Sequence, residues 1–424
     1  MRLSIVLSNM RNRHVRKSRS FRKAPEACGQ LQLLPPSLDD LVPAGHMTRG
    51  LKEVLNSLDI SGLEELYDDK GGYPYAPRAL LGILLYAYMD GERSSRRIEE
   101  HCRYDVRYRY IGGGYEPDDR TISRFRRRLE GVLPELFQQI LGLLRQKGLV
   151  KMQVIAVDGT KVAGSVSQWK RVFEEADYAD LADSDARQVR SRKGHFILGY
   201  NAQAAVDAGS GVVVATYVGN VSGDSRELPK VVDKIQGKVE SVVADKGYDS
   251  AENAQFLESR QITAYLNPTR QGQDFWKLDT DGKARCPAGH ALEVRDHFAR
   301  RDVQTVRLFI RHCPTCPTKC HLGRYKYLSH PQACDPLARI RNAHRCNTPE
   351  GRAILRLRGP SVEGVFGQLK WNHGFQRFRL RGLSAVSAEF EFECTVHNLR
   401  KLLRSYFRLL SPHKLPNHAL CYGW

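Results

Sequence analysis

Two short apolar runs, each closed by an aspartate, constrain this chain most: VIAVD at 154–158 and SVVAD at 241–245. Valine, isoleucine and alanine in succession read as a strand buried on both faces, as inside an α/β sheet. An acid straight after such a run is poorly explained by core packing. It lies just past the carboxyl end of a strand, where an α/β sheet presents ligands to solvent. Adjacent strands of this kind would set Asp158 and Asp245 within reach of one metal. An Asp-Gly turn would account equally well for Asp158 taken alone, but two such strand ends in one sheet weigh against it.

The neighbouring pattern supplies the rest of the sheet. YNAQAAV (200–206), VVVATYV (212–218) and ITAYL (262–266) are further strand-like runs, and DAGSG from Asp207 marks a hairpin turn between the first two. LPKVVDKI (228–235) reads as a helix, so a hairpin is followed by helical crossovers and a mixed α/β sheet is predicted. Residues 166–195 are a polar excursion.

Before Gly148 the texture is helical. Ser37 precedes LDDLV, Pro77 opens RALLGILLYAYM, and Ser94 and Ser95 precede RRIEEHCRY. Thr121 is the expected N-cap of TISRFRRRLEGVLPELFQQILGLLRQKG, with Gly148 as its stop. Arg124, Arg126, Arg127 and Arg128 make that segment basic, which suits either a DNA-facing helix or a solvated face.

A chain of 424 residues suggests two to three domains. Its 66 Lys+Arg against 47 Asp+Glu, a net +19, point to a polyanionic partner, nucleic acid or an anionic membrane surface. No apolar run approaches the roughly 20 residues of a spanning helix, and MRLSIVLSNMRNR has too short an apolar core for a secretory signal. A cytoplasmic location is expected, with residues 1–23 a disordered basic arm.

The segment SVEGVFGQLKWNHGFQRFRLRG (361–382) holds one carboxylate, Glu363, among Lys370, Arg377, Arg379 and Arg381. Gly359-Pro360-Ser361 predicts a helix start that leaves Glu363 in the first turn, with Phe366, Gly367 and Lys370 on its face. Glu363 then reads in two ways. It is an acid favoured by the helix dipole, worth under about 1 kcal/mol, or a third oxygen ligand to a pair of Mg²⁺ ions, with Lys370 set to grip a phosphate.

Six of the ten cysteines fall between 286 and 346. Cys313-x₂-Cys316-x₃-Cys320, with Cys286 or His290 completing the set, suits one tetrahedral structural Zn²⁺. Reduced thiols in a small insert are the rival reading, and Cys334 and Cys346 are spare candidates.

Taken in order, these motifs resemble the DDE transposases of bacterial insertion sequences. The likeness runs from about Phe21 to Phe407, through QLQLLPPSLDDLVPAGHMTRGL, YPYAPRALLGILLYAYMDGERSSRRIEEHCRYDVRYRYIGGG and PDDRTISRFRRR. It continues in VIAVDGTKVAG, ADKGYDS, VEGVFGQLKWNHGFQRFRLRGL and AEFEFECTVHNLRKL. The resemblance implies an RNase H-like α/β mixed-sheet core over 151–269 and 351–410. A helical DNA-binding and assembly domain is implied over 24–150, a cysteine-rich insertion over 270–350 and a tail over 411–424. It implies Asp158, Asp245 and Glu363 as the catalytic acids, holding two Mg²⁺ (or Mn²⁺) ions per active site.

The family's tyrosine-arginine-glutamate-lysine signature is kept at Glu363 and Lys370. Arg358 lies one residue further from the glutamate than the signature asks, and Leu355 stands where the tyrosine would be. Lys370, Arg358, Arg377, Arg379 and Arg381 are the expected phosphate contacts. The implied activity is cleavage at the terminal inverted repeats of a mobile element and attack of 3′-hydroxyls on target DNA, by a homo-oligomer, a dimer on DNA. An RNase H-like metal-dependent nuclease, or a zinc-containing DNA-binding regulator without catalysis, are the alternatives.

Overall fold

This computed structural model describes residues 36–67, 74–169, 172, 174–191, 194–268 and 335–410, with short pieces between 277 and 331. The expected basic arm, the tail 411–424, Cys286, Cys313, Cys320 and Cys334 lie outside the described residues. Two compact units divide at Leu41 and Val42. In the first, Leu38–Leu41 is a short helix capped by Ser37, whose hydroxyl donates to the Asp40 carboxylate at 2.6 Å.

The second unit opens with helices α1 (Met47–Ser57), α2 (Pro77–Met89), α3 (Ser95–Tyr104), α4 (Val106–Ile111), α5 (Asp119–Arg128) and α6 (Leu133–Gln146). α2 is apolar all round and buried from Leu80 to Met89, so the amphipathic helices wrap it. A Cβ on Gly82 would lie 2.9 Å from Leu55 and 3.2 Å from Ile111, which is why α1 and α4 approach α2 so closely. Pro77 starts α2, and Gly148, at φ +67°, follows the end of α6, both as expected. Thr121 is not the cap of α5. Asp118 is, accepting the Thr121 N–H at 2.7 Å, because an aspartate three residues earlier offers the same oxygen sooner.

The sheet comprises β1 (Val154–Ala163), β2 (Arg187–Arg190), β3 (Phe196–Asp207), β4 (Val213–Gly219), β5 (Ser241–Ala244) and β6 (Thr263–Leu266). Its order is β4–β3–β1–β5–β6, with β3 antiparallel to β1 and β4, and β5 and β6 parallel to β1. This is the expected RNase H-like mixed sheet. β2, from within the polar excursion, pairs with the start of β3 at Phe196–Gly199. The hairpin falls where DAGSG predicts it: Asp207 N–H donates to Val212 O at 2.8 Å, and Gly211 takes φ +67°. Helices α7 (Leu228–Val232) and α8 (Ala251–Ser259) make the crossovers to β5 and β6.

Further along, β7 (Glu293–Arg300), β8 (Val303–Phe309) and β9 (Tyr325–Pro331) form a separate antiparallel sheet. α9 (Pro336–Asn347) then docks on the outer strand, where the Asn342 amide bonds the N–H and C=O of Leu266 at 2.9 and 2.7 Å. Cys346 belongs to that contact: its thiol is buried against Leu266 O and burial pushes it up to about 12. It is a packing residue rather than a spare zinc ligand.

Thr348 caps α10 (Pro349–Arg358), and the helical path does not stop at Pro360. It passes through a π-helical turn (Gly359–Glu363), a short α segment (Gly364–Gly367) and a second π-helical turn (Gln368–Asn372). Glu363 is therefore in mid-helix and not in a first turn. The wider turn absorbs the missing proline N–H that would break a regular α-helix.

α11 (Leu383–Leu410) runs between the sheet and the N-terminal helices. Asn398 bonds both polar groups of Val213 on β4 at 2.9 and 2.7 Å, while Phe392 meets Tyr88 of α2 edge to face at 4.7 Å. Arg93 makes the central joint. Its guanidinium takes both oxygens of Glu393 at 2.5 and 2.7 Å and donates to His373 O, with side chains 5% and 0% exposed. Glu393→Ala, which strands a buried guanidinium, should cost about 3–5 kcal/mol in urea unfolding. Removing both charges in Arg93→Met with Glu393→Met should cost clearly less. Equal losses would show that the pair is not the joint.

Candidate active site

β1 is the spine of the site, with Ile155, Ala156 and Val157 fully buried. β5 pairs with it only as far as Val157 opposite Ala244. Asp158 is thus the first residue of β1 without a parallel neighbour, and Asp245 leaves β5 at the same level. Contrary to the sequence reading, Asp158 is not past the end of its strand. β3 keeps pairing with β1 as far as Ala163, with Asp158 opposite Ala204. One side of Asp158 is anchored in the sheet, and the other opens where β5 stops.

Gly159 is likewise in a strand and not in a turn. A side chain there would overlap Gln203 Nε2 and stand 2.8 Å from Asp224 Oδ1, so the glycine serves close approach. Asp245 caps the turn that follows β5, accepting the Gly247 N–H at 2.7 Å.

One guanidinium joins two of the three predicted acids. Arg358, the last residue of α10, donates Nη1 to Asp158 Oδ2 at 2.8 Å and Nη2 to Glu363 Oε1 at 3.3 Å. Burial raises the Asp158 pKa to about 6, outweighing the pull of Arg358, and the charges of Asp245 and Asp224 push the same way. Glu363 is half exposed, at 50% of its side chain.

Sequence reasoning missed Asp224. It sits in VSGDSREL, which reads as a polar loop, yet its Oδ1 accepts from Lys161 Nζ at 2.7 Å, Asn201 Nδ2 at 2.8 Å and Gln203 Nε2 at 3.0 Å. Gln203 accepts in turn from the Tyr248 hydroxyl. Burial holds that phenol well above its ordinary pKa, and the charges of Asp224, Asp158 and Asp245 push the same way. Only the run of polar residues on the inward side of β3, Asn201 and Gln203, hinted at this network.

The expected phosphate contacts divide. Lys370 donates to Lys161 O at 2.8 Å, which seats it on β1. Arg377 bridges to Ala163, and Phe378 N–H donates to Ala163 O at 2.8 Å, so this segment lies alongside the end of β1, with Arg377, Arg379 and Arg381 exposed. Arg358 faces acids. Among the described residues, no three or more His, Cys, Asp or Glu side chains converge into a ligand set as they stand. Of the four expected zinc cysteines only Cys316 is described, and it is buried.

Residues 36–128 match the model of the Transposase domain (DUF772), and residues 285–403 that of the Transposase DDE domain. A transposase for insertion sequence element IS1106 from Neisseria meningitidis serogroup B is 30% identical over 143 residues, 31% of this chain and 49% of that protein. The chain belongs to the DDE transposases of bacterial insertion sequences.

This transposase spans about half the length of that curated relative. Its DDE-domain match holds Arg358, Glu363 and Lys370, while Asp158 and Asp245 precede it. Among solved structures it is similar to a piggyBac transposase synaptic complex with hairpin DNA. That likeness has 9% identity and a TM-score of 0.33, over 87% of this chain and 73% of that one. A Mos1 transposase paired-end complex with the left transposon end has 12% identity and a TM-score of 0.16, over 48% and 63%. Such low scores carry no weight for the fold, which rests on the strand order. No helix among the described residues is long and apolar enough to cross a membrane.

The electrostatics are testable directly. The Asp158 carboxyl, followed by ¹³C NMR, should titrate near 6. Arg358→Ala should raise that midpoint and Asp245→Asn should lower it. A midpoint in the ordinary carboxylate range that neither change moves would mean the acids do not share one field.

Proposed function

We propose that this transposase cuts double-stranded DNA at the ends of an insertion sequence and joins the freed 3′-hydroxyls to target DNA by metal-dependent phosphoryl transfer, in the cytoplasm. The observation that carries the reading is the grouping of the acids. Arg358 spans Asp158 and Glu363, and Asp245 leaves the neighbouring strand at the level of Asp158.

The donor chemistry fits Mg²⁺ or Mn²⁺: three carboxylates, no sulfur, and a guanidinium already standing where positive charge is needed. Asp158, Asp245 and Glu363 would hold a pair of ions, which when bound activate the attacking oxygen and stabilise the leaving one. Arg358 pairs with both Asp158 and Glu363, and a phosphate oxygen is the alternative partner for its fork of donors. Lys370 and Lys161 set two ammonium groups beside β1 for the DNA backbone around the scissile bond. Asp224 fixes Lys161, and the neutral Tyr248 phenol holds Gln203 in place. Two element ends call for two catalytic cores, so the working form is a homo-oligomer, a dimer on DNA.

Wild type should cleave duplexes carrying the inverted repeats that flank the coding sequence, in Mg²⁺ or Mn²⁺. Asp158→Ala, Asp245→Ala and Glu363→Ala should each lose at least about 10²–10³-fold in rate, the worth of several kcal/mol of charge stabilisation. Alanine variants that cut as well as wild type would refute the assignment. Because Asp158 must be ionised to hold a metal, cleavage at limiting Mg²⁺ should also fall as pH drops below about 6, and saturating Mg²⁺ should move that midpoint down.

A further inference from the structure

Between α3 and α5 lies an open basin of about 760 Å³, lined by Arg96, Arg120, Ser123, Arg124, Arg127 and Arg379 among others. α5 builds most of it. Ile122 and Phe125 are buried, while Arg120, Arg124 and Arg127 recur at helical spacing on the opposite, exposed face. Three like charges along one face repel one another and would be disfavoured without a partner. Asp119 lines it 3.7 Å from Arg96, and Asp118, the cap of α5, lies within the field of Arg124 and Arg120. Among the described residues, Arg120, Arg124, Arg127 and Arg379 have no carboxylate at ion-pair distance.

Two observations separate this from an ordinary solvated face. First, the surface is concave and its cations come from three elements, α3, α5 and the segment beside the end of β1. Its floor is fixed: Arg126 donates to Arg93 O at 2.8 Å, and Arg93 is locked on Glu393. Second, one of its cations is tied to the catalytic strand. Arg379 is two residues beyond Arg377, which bridges laterally to Ala163, and Ala163 is five residues along β1 from Asp158. At about 3.3 Å per strand residue, those five residues of β1 cover roughly 16 Å. This is about five base pairs of duplex, or about half a helical turn.

We propose that this basin grips the sugar-phosphate backbone of duplex DNA about half a turn from the scissile phosphate. The inference rests on the transposase reading and adds to it a second, sequence-independent contact outside the acid site. Arg120, Arg124, Arg127 and Arg379 face the phosphates, Ser123 offers a hydroxyl, and Arg93 and Arg126 act as positioning residues beneath them.

The test measures binding of a random-sequence duplex a few turns long by fluorescence anisotropy, across a salt series. The full chain carrying Arg120→Ala, Arg124→Ala and Arg127→Ala should bind at least about tenfold more weakly. Its log–log salt dependence should be shallower by roughly two to three, about 0.9 for each phosphate no longer neutralised. Removing as many cations elsewhere, with Lys234→Ala, Lys238→Ala and Arg260→Ala, should change neither. Thermal melting checks the fold, and the single variant Arg124→Glu carries the test if the triple variant does not fold.

Asp158→Ala should bind with the wild-type salt slope and not cut. A triple variant that binds duplex with wild-type affinity and slope overturns the basin proposal and leaves the acid site standing. Weakened binding confined to single-stranded RNA or an acidic peptide overturns it in favour of another occupant. If the basin variant behaves as expected while Asp158→Ala still cuts, the basin stands and the catalytic assignment falls.

Discussion

The buried pairing of Arg93 with Glu393 holds the molecule to one arrangement. Arg93 stands just before α3, Glu393 lies in α11, and the third acceptor, His373 O, closes the helical path that carries Glu363 and Lys370. A charge pair this deep adds little net stability compared with well-packed apolar groups, because desolvation offsets most of its attraction. What it supplies is geometry: a bidentate fork accepts one orientation of its partner. Helices, acidic helix and sheet are thereby fixed relative to one another.

α11 extends that logic to the sheet. Asn398 replaces a missing strand for Val213, Lys401 donates to Ser210 O at 2.8 Å, and Glu389 accepts the N–H groups of Arg379 and Leu380. Polar groups buried along one helix are costly unless each finds its partner. Here they bind the backbone of the hairpin and of the segment that lies alongside the end of β1. The cations of that segment face outward because Phe375 and Phe378, 1% and 0% exposed, are drawn into the core between them.

At the site, burial and charge act against each other. Asp158 is anchored to a central strand, where solvation is poor, and Arg358 and the Gly159 N–H, which donates to it at 2.8 Å, offset part of the cost. The network around Asp224 holds Lys161 in place, while burial and the neighbouring acids keep Tyr248 neutral. The site thus has an excess of oxygen donors over fixed cations, the condition for recruiting a hard metal ion.

How much of this the sequence disclosed depends on the range of each interaction. The strand runs, the hairpin at DAGSG, Pro77 as a helix start and Gly148 as a stop are local matters of side-chain size and backbone freedom, so they are legible in the chain. Asp158 and Asp245 were legible too, since a core that buries four apolar residues in a row has no use for the carboxylate that follows them. The continuation of β1 past Asp158 depends on pairing with β3. The passage of the helix through Pro360 depends on a π-turn that packing sustains, and the value of Asp224 depends on three donors distant in sequence. The sequence by itself determined which residues carry charge and which local elements they sit in. Only the tertiary structure decided which charges meet, because Coulombic and hydrogen-bond partners are selected by position in space and not by separation along the chain.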